Sequence, residues 1–298
     1  MIEIRCAVIY GKSSDQHQYF MKAGEKYFDT VLGVPLEHIK MVYDDGVRLM
    51  YKNTDLCEFD CVLVRLFTKD ILYGEQIAEI LDDSGVYTQL DTDSLDIAHN
   101  KFYSMKVLSE CELPIPETGY TLSTKETERI AKDIGYPVVI KLISGYGGKG
   151  VMKADSNSDL KPIIDTLELF EQDICLQEYI ENPGEDIRII VVGDDTYSYK
   201  RVGGSEEWRS NISAGGSREK VEPSDEMKEA AVMAAKLCGF EFAGVDIIEG
   251  DDGGFYIGEI NPSPGVGGTE EVLGVDVADR VMEHLYNKTV EVKSEIGV

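Results

Sequence analysis

The sequence predicts an α/β fold, a small parallel-sheet α/β domain over residues 1–97 followed by a region of paired strands and helices from 98 onward. Three observations carry this expectation. The first hundred residues alternate strand-like and helix-like stretches, the signature of parallel strands covered by helices. After about residue 137 the strands come in pairs joined by short glycine-containing loops. A length of 298 residues with 43% hydrophobic and 9% aromatic side chains is enough for more than one core, at roughly 150 residues per domain.

The elements follow in chain order. Residues 1–10 pass from alternating to apolar character and predict a strand. Residues 15–32 place Tyr19, Phe20, Ala23, Tyr27, Phe28 and Val31 at helical spacing. Residues 59–67 form a short apolar run of strand length, 71–81 are amphipathic, and 85–90 predict another strand. Nothing in this first segment stands out as catalytic. A helix from about 99 to 112 is stopped by Pro114 and Pro116, and a second over 124–134 has Ser123 or Thr124 as its cap and Gly135 as its terminator. Strands are expected at 137–143, from 151, at about 174–177, and as pairs at 186–192 with 196–202 and 243–249 with 254–261. Helices are expected at about 158–171 and 224–238.

Composition narrows the partners. Against 56 acidic residues stand 29 basic ones, a net charge of −27 that repels nucleic-acid phosphates and anionic lipid surfaces. Neither nucleic acid nor membrane is therefore an expected partner, and the dispersed acidity suits a solvated surface in a salty cytoplasm. The N-terminus lacks a basic stretch followed by an apolar one, and no apolar run reaches the roughly 20 residues of a membrane span, so a cytoplasmic location is expected. Cys6, Cys57, Cys61, Cys111, Cys175 and Cys238 are scattered and read as free, buried thiols rather than a zinc site. His17, His38, His99 and His284 suggest no nucleophile or relay.

Two features carry chemistry. The loop 144–150 contains Gly145, Gly147, Gly148 and Gly150, and such a loop lets backbone N–H groups close around phosphate oxygens. By itself it is equally an ordinary hairpin, and it matches neither a P-loop nor a dinucleotide-binding turn. Lys141 shifts the balance, because a lysine within the apolar strand at 137–143 needs an anionic partner or an exit to solvent. Near the C-terminus, Glu259 and Asn261 share one face of a strand, and a neighbouring antiparallel strand can bring Asp246 beside them. Three oxygen-bearing groups suit Mg²⁺, and two buried carboxylates without a cation would repel each other.

Taken together, these residues resemble the ATP-grasp superfamily, and within it the RimK-like amino-acid ligases, over roughly residues 95–288. The resemblance rests on His99-Asn-Lys101, Val139-Ile-Lys141 with its glycine loop, Leu176-Gln-Glu178-Tyr-Ile180, Asp186-Ile-Arg188, Trp208-Arg209-Ser-Asn211 with Gly215-Gly216, Ala243-Gly-Val-Asp246, and Glu259-Ile-Asn261 with Pro262 to Gly265. It implies an ATP-grasp fold of two α+β lobes, over 98–178 and 179–298, behind the N-terminal parallel-sheet domain, three lobes in all. It further implies that Lys101 and Lys141 hold phosphates of ATP beneath the glycine loop, that Glu178, Tyr179 and Ile180 form the hinge beside adenine, and that Asp186 reaches the ribose. Asp246, Glu259 and Asn261 would carry two Mg²⁺ ions, with Mn²⁺ as a substitute. Arg209, with Arg201 and Arg188 behind it, would stabilise charge on the transferred phosphoryl group, and Asn211 would orient it. A structural salt bridge competes with a site role for Arg188.

The activity so implied is an ADP-forming carboxylate–amine ligase working through an acyl phosphate, with glutamate as the favoured amino acid. The acceptor carboxylate would belong to a ribosomal protein tail, a carrier protein, or a pterin or deazaflavin coenzyme, the coenzymes being favoured by the −27 charge. The chain departs from the family in having Asn211-Ile-Ser-Ala214 before the paired glycines, where a basic residue is common, which leaves the acceptor open. The contrasting expectation is a regulatory ATP-binding protein that has lost turnover. Homo-oligomer formation stays open.

Overall fold

The computed structural model describes residues 3–11, 15–44, 46–66, 70–90, 94, 95, 97, 100–142, 150–182, 184–203, 216–251 and 253–295. In its first part, β1 (Arg5–Tyr10), α1 (His17–Gly24), β2 (Thr30–Pro35), β3 (Ile39–Tyr43), β4 (Val47–Tyr51), β5 (Thr54–Asp55), β6 (Cys61–Arg65), α2 (Ile71–Asp83) and β7 (Tyr87–Thr88) follow in order. The main sheet runs β2-β1-β6-β7 and is parallel throughout. All five residues of β6 are buried, because a parallel strand covered on both faces must be apolar along its whole length rather than on alternate residues.

Two features of this domain differ from the sequence expectation. The helix expected over 15–32 ends at Gly24, and Thr30–Pro35 is instead the edge strand β2. Its backbone gains a parallel ladder with β1, and the aromatic spacing that suggested more helix has another cause. Tyr27 and Phe28 meet Tyr286, with ring centroids 6.3 and 5.5 Å away, on a helix near the chain's end. The antiparallel sheet β3-β4-β5 between β2 and β6 was not foreseen.

The middle part comprises α3 (Lys101–Glu110), β8 (Thr118–Thr121), α4 (Thr124–Ile134), β9 (Val138–Leu142), β10 (Val151–Ala154), α5 (Asn157–Leu169) and β11 (Ile174–Glu178). Its antiparallel sheet has the order β10-β9-β11-β8. Helices α4 and α5 pack on it through Ala131, Leu160 and Ile164 over Ile140 and Leu176, a core separate from the rest. Helix α4 is placed by its ends: Ser123 Oγ accepts from the Glu126 N–H at 3.4 Å, and Gly135 follows with φ +95°.

The last part holds β12 (Glu185–Val192), β13 (Asp195–Val202), β14 (Ser217–Lys220), α6 (Asp225–Leu237), β15 (Phe242–Glu249), β16 (Phe255–Asn261), α7 (Glu270–Leu273) and α8 (Val277–Glu295). Its sheet is antiparallel in the order β14-β13-β12-β15-β16. Ala230, Ala231, Ala234 and Ala235 bring α6 onto this sheet, in a core that runs on into the N-terminal domain through Val62, Val64 and Leu81. Helix α8, which the sequence reading did not anticipate, seals a second shared core with Phe20, Leu63, Ile190 and Phe242. Among the described residues, no helix is long and apolar enough to cross a membrane.

Candidate active site

One face of the C-terminal sheet packs into the core under α6, while the other is charged at one end and packs into the second core, through Ile190 and Val192, at the other. On β12, Ile187 and Ile189 point into the core while Asp186 and Arg188 lie on the opposite face. Across the ladders, Asp186 stands opposite Arg201 on β13, Arg188 opposite Asp246 on β15, and Asp246 opposite Glu259 on β16. Cations and anions therefore alternate across three strands before two acids meet at the β15–β16 pair.

The ion pairs on this face are bidentate. Arg188 donates from Nε to Asp246 Oδ1 and from Nη2 to Asp246 Oδ2, the latter at 3.0 Å. Arg201 donates through Nε and Nη2 to both oxygens of Asp186, and its Nη2 also lies 2.7 Å from Asp246 Oδ2. Burial opposes charge on the Asp246 carboxyl, but Arg188 and Arg201 outweigh it and hold the group below its ordinary value. Burial likewise opposes the Arg201 charge, and Asp246 and Asp186 raise it well above the ordinary arginine range. Gly244 makes room for this arrangement, since a Cβ there would stand 2.7 Å from Arg188 Nη1.

Strand β16 carries a bulge. Ile247 pairs with Ile257, yet Asp246 pairs with Glu259, so Gly258 has no partner of its own. The extra residue lets both Ile257 and Ile260 enter the core while Glu259 and Asn261 stay on the charged face. It also frees the Gly258 carbonyl, which accepts a hydrogen bond of 3.1 Å from Lys141 Nζ. Lys141 comes from β9 of the middle lobe, where its Nζ also donates to Gln177 Oε1. Gln177 Nε2 in turn donates to Thr118 Oγ1 at 3.0 Å. The lysine of one lobe thus reaches the residue preceding Glu259 in the other.

Other residues named from sequence are placed as follows. Glu178 ends β11, its N–H donating to the Glu117 carbonyl at 2.8 Å and its Oε2 accepting from the Glu117 N–H at 3.3 Å. The Tyr179 ring lies 4.2 Å from Lys153 Nζ, and Ile180 is buried. Lys101 opens α3, whose first N–H groups are capped by Asn100, with Oδ1 accepting from Phe102 and Tyr103 at 3.0 and 3.2 Å. Gly150 has φ +79° and its carbonyl accepts from the Leu142 N–H at 2.8 Å. Gly145, Gly147, Gly148, Arg209 and Asn211 lie outside the described residues, as does the side chain of Lys101.

Sequence reasoning missed Gln177 and the bulge. A glutamine within an apolar strand and an isolated glycine within another were the available signals. The argument that Asp246 needs a metal to relieve repulsion is amended by the geometry, because Arg188 and Arg201 already meet that charge. Among the described residues no group of three His, Cys, Asp or Glu stands together. The set comprising two carboxylates and an amide is all oxygen, which fits a hard divalent cation. Asn261 Oδ1 accepts from the Ser263 N–H at 2.8 Å, and a carbonyl oxygen retains a second lone pair.

Comparison with known proteins shows the family and the fold. Residues 98–285 match the model of the RimK-like ATP-grasp domain. A protein of Legionella pneumophila (strain Corby) named "Probable alpha-L-glutamate ligase" is 34% identical over 266 residues, covering 88% of this chain and 85% of that protein. One of the same name from Picosynechococcus sp. is 33% identical over 240 residues, covering 80% and 79%. Among solved structures, the ATP-grasp ligase PsnB complexed with minimal precursor superposes with a TM-score of 0.75 at 20% identity, covering 95% of this chain and 98% of that one. The D-alanine–D-alanine ligase of Bacillus anthracis complexed with ATP gives 0.69 at 18% identity, covering 99% and 100%.

Proposed function

The chain belongs to the RimK-like ATP-grasp family, ligases that form carbon–nitrogen bonds, and from that premise we propose that it joins the amine of L-glutamate to an acceptor carboxylate through an acyl phosphate. ATP-grasp ligases use ATP and Mg²⁺, and PsnB has been solved with Mg and ADP. The observation that carries the reading is the meeting of Lys141 with the Gly258 carbonyl, which sets a phosphate-seeking cation beside the oxygen donors of β16.

In the first step an oxygen of the acceptor carboxylate bonds to the γ-phosphorus of ATP while the bond from that phosphorus to ADP breaks. In the second, the glutamate amine attacks the acyl carbon, the carbon–oxygen bond to phosphate breaks, and the amine gives up a proton. Mg²⁺, held by Asp246, Glu259 and Asn261, would screen the phosphate charges as two ions. Lys141 and Lys101 hold the phosphates, Gly145 to Gly150 cover them, the segment Glu178 to Ile180 faces the adenine, and Asp186 faces the ribose. Arg209, Asn211 and Arg201 bear on the transferred group, whose planar oxygens suit a guanidinium fork. Because an acyl phosphate hydrolyses on contact with water, the amine binds before or with closure.

The acceptor is a carboxylate on a small molecule or a protein tail. PsnB was solved with a precursor peptide, while this chain's charge of −27 disfavours a strongly acidic macromolecule.

Incubation of the purified protein with ATP, Mg²⁺, glutamate and a panel of acceptors should release ADP and orthophosphate, with product mass identifying the acceptor. Stoichiometric AMP would sink the acyl-phosphate mechanism in favour of adenylation. Lys141→Met should weaken ATP binding by about tenfold or more, the worth of a charge-assisted hydrogen bond. Nucleotide titration checks this, and unchanged affinity removes Lys141 from the nucleotide site.

A further inference from the structure

A second cationic position lies where the N-terminal domain meets the loop following Asn261. Arg65 is the last residue of β6, at the C-terminal edge of the parallel sheet, and only 4% of it is exposed. Its Nη2 donates to the Pro264 carbonyl at 2.9 Å and approaches the Ser263 carbonyl at 3.4 Å. The guanidinium lies 4.5 Å from the centroid of Phe20 and 5.6 Å from that of Phe242. Its Nε and Nη1 have no hydrogen-bond partner.

Among the described residues, the buried side-chain nitrogens and oxygens without a partner are those two atoms, the Ser263 hydroxyl and Arg218 Nε. They surround one loop. Ser263 is tied to Asn261 through its N–H, and Arg218 Nη1 stands 3.0 Å from where a Cβ on Gly268 would be. From the N-terminal domain, Gln16 Oε1 accepts from the N–H groups of Val266 and Gly267 at 2.9 and 2.7 Å. The seam is joined by bonds to the loop's backbone, yet Arg65 Nε and Nη1, Arg218 Nε and the Ser263 hydroxyl stay without partners.

Among the described residues, no carboxylate is paired with this arginine. Burial alone acts on the Arg65 charge and pulls its pKa down to about 9. A buried, uncompensated guanidinium is unfavourable unless an anion completes it. In open parallel sheets the C-terminal edge is where ligands dock, and the neighbouring hydroxyl adds a donor suited to an oxyanion.

We propose that Arg65 and Ser263 form a recognition pocket for a substrate carboxylate that does not itself react, which holds the substrate while its other end faces the β15–β16 site. The proposal rests on the ligase reading above and adds the N-terminal domain to its substrate site. A carboxylate is favoured over a phosphate because the cation proposed above for the phosphates, Lys141, comes from the middle lobe and meets Gly258, whereas Arg65 comes from the N-terminal domain and meets Ser263 and Pro264.

The test measures binding of L-glutamate, glutarate and inorganic phosphate to the full chain in the presence of ADP and Mg²⁺, by titration and by ligand-induced thermal shift. Wild-type protein should bind at least one of the two carboxylates. Arg65→Met should lose about tenfold or more of that affinity and Ser263→Ala a few-fold, both keeping the wild-type affinity for ADP. Ser263→Ala keeps the test decisive should Arg65→Met fail to fold. Unchanged carboxylate affinity in the variants overturns the pocket, and ligase activity retained there leaves the proposed reaction standing. An Arg65-dependent preference for phosphate overturns the carboxylate assignment. Loss of ADP affinity alone overturns it too, marking Arg65 as a clamp on the loop. Arg65-dependent carboxylate binding in a wild-type protein that releases no ADP with glutamate supports the pocket and removes the glutamate reading.

Discussion

Replacing Glu259 by Gln is expected to abolish ligation while leaving the fold intact. The substitution keeps the shape of the side chain at a half-buried position and removes the charge that a divalent cation requires. A cation on the phosphates supplies several kcal/mol of transition-state stabilisation, and about 1.4 kcal/mol corresponds to a decade in rate. The loss is therefore on the order of 10³-fold. ADP release at ordinary Mg²⁺ measures it, with thermal melting as the control on folding. Near-normal turnover in Glu259→Gln would show that the metal assignment on β16 is wrong.

Asp246→Asn should behave differently, although the two residues face each other across one ladder. Asp246 neutralises Arg188 and, with Asp186, Arg201, and its side chain is only 13% exposed. Removing one partner of a buried ion pair leaves charge uncompensated and costs about 3–5 kcal/mol. Asp246→Asn should thus lower both stability and activity, where Glu259→Gln lowers activity alone. Chemical denaturation of the two variants separates them, and an unfolding midpoint for Asp246→Asn equal to that of the wild type would refute the structural role.

The same pair sets a pH dependence. The folded-state pKa of Asp246 lies below its ordinary value of 3.8, so the folded state holds fewer protons than the unfolded chain around that value. Its contribution is full above about pH 4 and is lost as the pH falls through the folded pKa. The stability gap between wild type and Asp246→Asn should narrow below pH 4.

Much of the frame was legible because period and punctuation agreed. Helix α4 was placed to the residue by its serine cap and terminal glycine, and β9, β12, β13, β15 and β16 stand within a residue or two of their apolar runs. Strand β2 was missed because Tyr27, Phe28 and Val31 fit a helical period while serving contacts with α8 and a ladder with β1. The parts of the site lying within single strands were visible as Lys141, Asp246 and Glu259. What joins them was not. No local rule pairs Arg188 with Asp246, which are 58 positions apart in the chain, or directs Lys141 to a main-chain oxygen 117 positions away. Arg65 drew no attention because one arginine at the end of an apolar run is ordinary. Its interest comes from surroundings assembled by three distant segments.

The bond from Lys141 to Gly258 has a consequence for how this enzyme can be dissected. Its acceptor belongs to the peptide group, so no exchange of side chains along β16 deletes it, and a conventional alanine scan of that strand would record nothing about it. The information lies in chain length. Removing Gly258 would restore even pairing with β15 and withdraw the oxygen, while Ile257 and Ile260, then two positions apart, would still share the core face. Seen from β16, communication between the two lobes at this point is written in a count of residues, and on that strand only an experiment that changes the count can read it.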